Sequence, residues 1–164
     1  MIEIEELTNP EITDVLQHIG YGHLACSRNG HPYVVPVHYA FSDGDIYIYT
    51  TEGKKTEIID ENPNVCLQIE QVVDEGHWLS VIVDGIAIRL ARGREHERAL
   101  KLVTESNPTL TPAVSIHWMD DWVRENVEAV YQITPVTTSG RRTVDRTGHT
   151  PFVPLREPLP EKLI

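Results

Sequence analysis

Only two cysteines stand in the 164 residues, Cys26 and Cys66, each inside an apolar run with no second cysteine or patterned histidine nearby. This excludes a CxxC redox pair and a cysteine-based zinc site, predicts buried free thiols, and fits a reducing cytoplasm. Long apolar runs are also missing, since no stretch approaches the ~20 residues a membrane helix needs. The opening Met1-Ile2-Glu3-Ile4-Glu5-Glu6 is acidic where an export signal is basic, so neither export nor membrane insertion is expected. Cations are scarce: fourteen Lys and Arg against twenty-five Asp and Glu give a formal net charge of -11. Such a surface repels phosphate backbones and anionic lipid at long range, which argues against nucleic acid or a membrane as partner. An anionic small molecule then requires a locally positive site.

Catalytic signatures are equally sparse. The eight histidines form no HExxH, since His96-Glu97 continues into Arg98-Ala99-Leu100, so no metal site is expected. There is no GxSxG, and Ser27, Ser80 and Ser115 lack a patterned base, which leaves a hydrolase without support. Gly20-Tyr21-Gly22-His23-Leu24-Ala25 satisfies GxGxxA but follows a helical pattern and enters a strand, the reverse of a dinucleotide fold.

What is present is a globular composition, 40% hydrophobic and 24% charged, on a chain long enough for one domain that buries its own core. Asn9-Pro10-Glu11 reads as cap, first-turn proline and first-turn acid, followed by Ile12, Val15, Leu16 and Ile19 at helical spacing and a stop at Gly20. The period then changes to that of strands. Gly22 to Ser27, Tyr33 to Phe41 and Ile46 to Thr51 are joined by Arg28-Asn29-Gly30-His31 and Ser42-Asp43-Gly44-Asp45, which predicts a meander with two tight turns. A brief helix over Thr56 to Glu61 stops at Asn62-Pro63; strands follow over Val65 to Val72 and Trp78 to Leu90, the second with a bulge at Gly85. Gly93 to Glu105 reads as a helix, Met119 to Arg124 as a weaker one, and Val127 to Ile133 as a sixth strand. The proline-rich end reads as an extended arm, so the expected layout is a single domain over 1–164 with the barrel at about 20–134 and the arm at 135–164.

Antiparallel strands with few helices must close on themselves or form a sandwich to protect their edges, and the expected answer is a small barrel in a mainly β (α+β) fold with flanking helices. Pro36 in the middle of Tyr33–Tyr39 cannot donate a ladder hydrogen bond, which places it at an edge or opposite something other than a strand. The sharpest local conflict is Thr50-Thr51-Glu52-Gly53-Lys54-Lys55-Thr56-Glu57, where two lysines open a helix whose N-terminus already carries partial positive charge. A bound phosphate removes that conflict; a solvated turn with the lysines paired to Glu52 and Glu57 is the alternative.

Gly22-His23-Leu24-Ala25-Cys26, Gly30-x-Pro32-Tyr33-Val34-Val35-Pro36-Val37-His38-Tyr39, Asp45-Ile46-Tyr47-Ile48-Tyr49, Gly53-Lys54-Lys55 and Asn62-Pro63-Asn64-Val65-Cys66 together resemble the FMN-binding split-barrel family. Within it the chain resembles the pyridoxamine 5'-phosphate oxidase-related group that holds nitroimidazole-resistance reductases, and His77-Trp78-Leu79-Ser80-Val81 with Val83-Asp84-Gly85 extends the likeness across roughly residues 9 to 134. The resemblance implies a six-stranded antiparallel Greek-key split barrel, and a homodimer with two flavins at the subunit interface. It implies that Val35, Pro36, Val37, His38 and Tyr39 lie along the flavin ring, and that Thr50, Thr51, Lys54 and Lys55 hold the phosphate. Trp78 and Trp118 are candidates to cover a planar ligand, with core or interface packing as the other reading. His38 and His77 are candidate hydrogen-bond or proton donors near a flavin. The arginine and histidine signature of true pyridoxine phosphate oxidases has no match, Arg141-Arg142-Thr143 being a loose echo that leaves Arg141 as a candidate flavin or substrate contact and vitamin B6 synthesis unexpected. The expectation is an FMN-dependent oxidoreductase acting on a small electron-poor substrate, a nitro compound being one candidate. The alternatives are a non-catalytic flavin or haem binder and a deazaflavin-dependent reductase.

Overall fold

Asn29-Gly30 and Asp43-Gly44 both take the left-handed backbone, with φ of 51° and 77° in one pair and 51° and 81° in the other. Each is a two-residue hairpin turn of the kind that matches strand twist. The computed structural model describes residues 2–107, 128–145, 148–149 and 154. The first turn joins β2 (Tyr21–Arg28) to β3 (His31–His38), and the second joins β4 (Ala40–Ser42) to β5 (Asp45–Thr51). Ahead of them lie β1 (Glu3–Glu6) and α1 (Asn9–Ile19); after them come α2 (Lys54–Glu61), β6 (Asn64–Asp74), β7 (His77–Arg89), α3 (Arg94–Ser106), β8 (Glu128–Asp145) and β9 (Gly148–His149). The helix candidate at Met119–Arg124, Trp118 and nearly all of the proline-rich end lie outside the described residues.

The strands form one antiparallel sheet in the order β3-β2-β6-β7-β8-β5-β4, with β1 and β9 both pairing β8. This is the expected split-barrel class, with nine strands among the described residues where the sequence suggested six. The three extra strands are short pieces, β1, β4 and β9, and β4 arises because the predicted strand Tyr33–Phe41 breaks at Tyr39, which leaves β3 and enters the core. The sixth predicted strand is much longer than its apolar pattern, since β8 continues through Thr134–Asp145, pairing β7 as far as Arg142 and β1 and β9 toward its end. Residues 135–145 therefore sit in the sheet. The ladder between β7 and β8 shifts register at Asp84/Gly85, the predicted bulge, where a side chain on Gly85 would meet Ile133 Cγ2 at 2.7 Å.

The N-cap of α1 is Thr8, one residue earlier than expected, and the Glu11 carboxylate accepts from the Thr8 N–H at 2.7 Å and the Thr8 hydroxyl at 2.8 Å. Its apolar stripe of Ile12, Val15, Leu16 and Ile19 covers the barrel core, and Gly20 closes it at φ 75°. Arg142 on β8 joins Glu5 and Glu11, tying β1 and α1 to the sheet. The two cysteines are free, and only Cys26 is buried; Cys66 is half-buried. Ala25 is the residue opposite Cys66, so the pleat turns Cys26 and Cys66 to opposite faces of the sheet, which rules out a bridge between them.

Candidate functional site

Strand β3 pairs only with β2, so it is a sheet edge. The Tyr39 N–H donates to the Gly20 carbonyl at 3.0 Å, and the register of 38 against 21 makes Tyr39, Val37, Val35 and Tyr33 the residues whose backbone groups face β2. Val34, Pro36 and His38 then direct their backbone groups to the free edge. Pro32 and Pro36 both fall at these outward positions, where a missing N–H breaks no ladder bond. The edge reading of Pro36 from sequence therefore holds.

Side chains alternate across this strand in the other sense. Val37 is 6% exposed and Tyr39 fully buried, its hydroxyl donating to the Leu16 carbonyl at 2.9 Å. Val35 is half-buried and packs against the same core. Of the five residues expected beside a ring, these three turn their side chains to the core and their backbone groups to β2; Pro36 and His38 project from the opposite, open face and direct their backbone groups to the free edge. There Tyr21 stands against His38 with ring centroids 5.4 Å apart.

At the end of β5 the chain turns into α2 through Thr51, Glu52 and Gly53. The helix does begin at Lys54, as the lysine conflict required. Its first turn is capped from within: the Thr56 hydroxyl, fully buried, accepts from the Gly53 N–H at 2.9 Å and lies 2.9 Å from a Glu52 carboxylate oxygen, to which it can donate. Glu52 is also paired with Arg89, so it is not the lysines' counter-ion. Among the described residues neither Lys54 nor Lys55 forms an ion pair, so the pairing to Glu52 and Glu57 expected of a solvated turn does not form.

The two lysines take different places. Lys54 is exposed and its ammonium lies 4.7 Å from the centroid of the Tyr33 ring, linking α2 to the edge strand. Lys55 is half-buried in an apolar recess shared with Thr50, Leu24, Ile48 and Ile59. Burial pushes its pKa below the ordinary lysine value, and nearby Cys26, itself pushed up by burial, opposes that shift. Thr51 is half-buried opposite Glu128 on β8. The structure therefore brings Tyr33, Thr50, Lys54 and Lys55 to one end of the barrel. Tyr33, Thr56 and Arg89 were not singled out in the sequence; Thr56, three residues after Gly53, carried a capping signal, while Arg89 carried none.

Trp78 and Arg141 do not join this group within one chain. Lys55 sits by Ala87, and Trp78 is nine positions back along β7, about 30 Å of strand. Trp78 and Arg141 instead line a groove of about 660 Å³ between the open face of β7–β8 and the start of α1, with Asn9, Ser80, Ile82 and Ser139. Arg141 has no ion-pair partner among the described residues, unlike its neighbour Arg142. His77 is held between Asp74, at 2.7 Å from Nδ1, and Asp145, at 3.2 Å from Nε2, so it serves the β6–β7 turn. Among the described residues no group of histidines, cysteines and carboxylates could hold a metal, and no helix is long and apolar enough to cross a membrane.

The architecture defines a split-barrel protein, with Lys54 and Lys55 gathered at one end of the barrel. The sequence profile of the family described as pyridoxamine 5'-phosphate oxidase matches residues 8–142, and the chain belongs to that family. A FAD-binding protein from Mesorhizobium loti superposes with a TM-score of 0.73 at 29% identity, over 88% of this chain and 100% of that one. A proposed 5-nitroimidazole antibiotic resistance protein from Bacteroides thetaiotaomicron superposes with a TM-score of 0.63 at 18% identity, over 87% and 89% of the two chains, a likeness of fold. An uncharacterised protein of Rhizobium meliloti (strain 1021) is 39% identical over 77 residues, which are 46% of this chain and 51% of that protein. The match thus spans about half the length of that curated relative.

Proposed function

We propose that the protein binds FMN, with the phosphate at Lys54, Lys55, Thr50 and the N-terminus of α2, and works as an FMN-dependent oxidoreductase on a small electron-poor acceptor. The observation that carries the reading is Lys55: a half-buried cation without a carboxylate partner, at a helix N-terminus that itself attracts anions. In a chain of net charge -11 such a site is kept at a cost to stability, and a phosphate is the chemistry that repays it. The family match and the FAD-binding relative support a flavin as the molecule that brings the phosphate.

Bound flavin would supply hydride and electron transfer at its ring. The chain's part is placement. Lys54 and Lys55 hold the phosphate end, and Tyr33 keeps Lys54 beside β3. The free edge at Val34, Pro36 and His38 offers backbone carbonyls and two N–H groups to a planar ring lying along it. The apolar wall behind Val35 and Val37 keeps water off that side. Turnover requires no single protein side chain as proton donor, and a nitro compound is one acceptor of the right electronic character.

The separation of the Trp78–Arg141 groove from the lysines supports the homodimer reading. The open face of β3-β2-β6-β7-β8 carries exposed Tyr21 (42%), Val34 (61%) and Ile82 (41%), a sheet face without cover among the described residues. A second copy packed on it would set the groove of one subunit against the cradle of the other, giving two flavin sites between subunits. The test is an absorbance titration with FMN on wild type, Lys54→Ala and Lys55→Ala, followed by anaerobic reduction with NADH or NADPH and addition of a nitroimidazole. Flavin bands that perturb on wild type and weaken in a lysine variant support the site; reoxidation by the nitro compound supports the activity. No perturbation at all in wild type removes the flavin reading, and bound flavin that never turns over leaves a carrier or sensor.

A further inference from the structure

We propose that Arg89 is a positioning residue for the phosphate end of this site, an assignment that rests on the flavin reading above. Glu52 stands two residues before Lys54, and a free carboxylate there would oppose any anion held by the lysines. It is not free. Arg89, at the far end of β7, pairs with Glu52 through one guanidinium nitrogen and with Asp60 of α2 through the other, at 2.8 Å. Asp60 also accepts from the Tyr131 hydroxyl at 2.8 Å, and the guanidinium lies 5.9 Å from the centroid of the Tyr131 ring. Tyr131 is buried on β8 directly opposite Arg89, so the fork stands on two adjacent strands of the barrel.

The consequence is geometric and electrostatic together. One planar cation fastens both the residue before the Gly53 turn and the body of α2 to the rigid sheet, which fixes where the first turn of the helix points its N–H groups. The other Glu52 oxygen lies 2.9 Å from the Thr56 hydroxyl, the same group that accepts from the Gly53 N–H. Glu52 is thereby neutralised and turned toward Arg89, and Lys54 and Lys55 are left without a protein anion. Exposed ion pairs of this kind contribute little to stability. Arg89 contributes instead by keeping a competing carboxylate out of the anion site.

The experiment compares FMN with riboflavin, which carries the same ring and no phosphate, by fluorescence titration of wild type, Arg89→Gln and the double variant Glu52→Gln/Arg89→Gln. Arg89→Gln is expected to weaken FMN about fivefold while moving riboflavin less than twofold, and the double variant to recover most of the loss. A loss shared equally by both ligands, or no loss, or a double variant as weak as the single one, overturns the assignment. If Arg89→Gln does not fold, Arg89→Lys is measured: the FMN-to-riboflavin ratio is expected to fall by a smaller factor, and an unchanged ratio overturns the proposal. Wild type that does not favour FMN over riboflavin would instead defeat the phosphate site itself.

Discussion

The Lys54 ammonium rests 4.7 Å from the centroid of the Tyr33 ring, so the first residue of α2 touches the third residue of β3. The contact bridges two elements that share no backbone ladder. Tyr33→Leu removes the ring and is expected to lower stability by about 0.5–1 kcal/mol in a urea melt, the range for an exposed cation–π pair. A loss several times larger would mean that Tyr33 acts chiefly as core.

Lys55 is a cation kept where burial disfavours charge, with its pKa pushed down. A base whose folded pKa lies below its unfolded value costs stability at neutral pH, and the cost fades as pH rises toward the ordinary lysine range. Lys55→Met is therefore expected to stabilise the flavin-free protein at neutral pH by up to about 1 kcal/mol while weakening FMN binding. Equal or lower stability together with undiminished FMN binding would remove Lys55 from the site.

His77 lies between two carboxylates, and the hydrogen bond it donates to Asp74 and then that to Asp145 raise its pKa above the ordinary value. Asp74 is lowered, first by its bond to His77. Stability from the raised histidine is complete below its unfolded pKa and is lost as pH climbs through the folded one; stability from Asp74 is lost as pH falls through its own lowered value. His77→Gln should thus lower the melting temperature most near pH ~5.5 and least near pH ~8.5. A difference that is flat across that range, or reversed, contradicts the clasp.

Gly22 and Gly85 need their missing side chains for space. A Cβ at Gly22 would lie 2.6 Å from the Gln68 carbonyl oxygen, and one at Gly85 would lie 2.7 Å from Ile133 Cγ2 and 2.8 Å from the Thr134 carbonyl oxygen. Ile133 also lines the recess that holds Lys55. Each Gly→Ala change is expected to cost about 1–3 kcal/mol in chemical denaturation, with Gly85→Ala alone also loosening FMN. Neutral substitutions would show that the strands separate more easily than this packing allows.

What could be read from the chain was local. The Asn-Gly and Asp-Gly turns, the stop at Gly20, the bulge at Gly85 and the edge position of Pro36 each follow from backbone chemistry within a few residues. The misplaced lysines do open α2, and they stood out in the sequence because a helix N-terminus has a fixed polarity. Strand parity was the first limit: Val37 and Tyr39 sit in a run expected to face a ring, but which alternate set turns inward depends on α1, whose Leu16 carbonyl captures the Tyr39 hydroxyl. Distance along the chain was the second. Nothing near Arg89 announces Glu52, nothing near Arg142 announces Glu5, and the polar stretch Thr137–Arg142 reads as a tail until its ladder with β7 is seen. Trp78 and Arg141 were named as separate candidates for one site, and the fold joins them to each other rather than to the lysines.

The central claim is that this barrel end recognises a phosphate carried by a flavin. The most direct measurement is a side-by-side fluorescence titration of the wild-type protein with FMN and with riboflavin. FMN is expected to bind at least about tenfold more tightly, the worth of one or two charge-assisted contacts to its phosphate. Equal affinities, or no binding of FMN, would contradict the account.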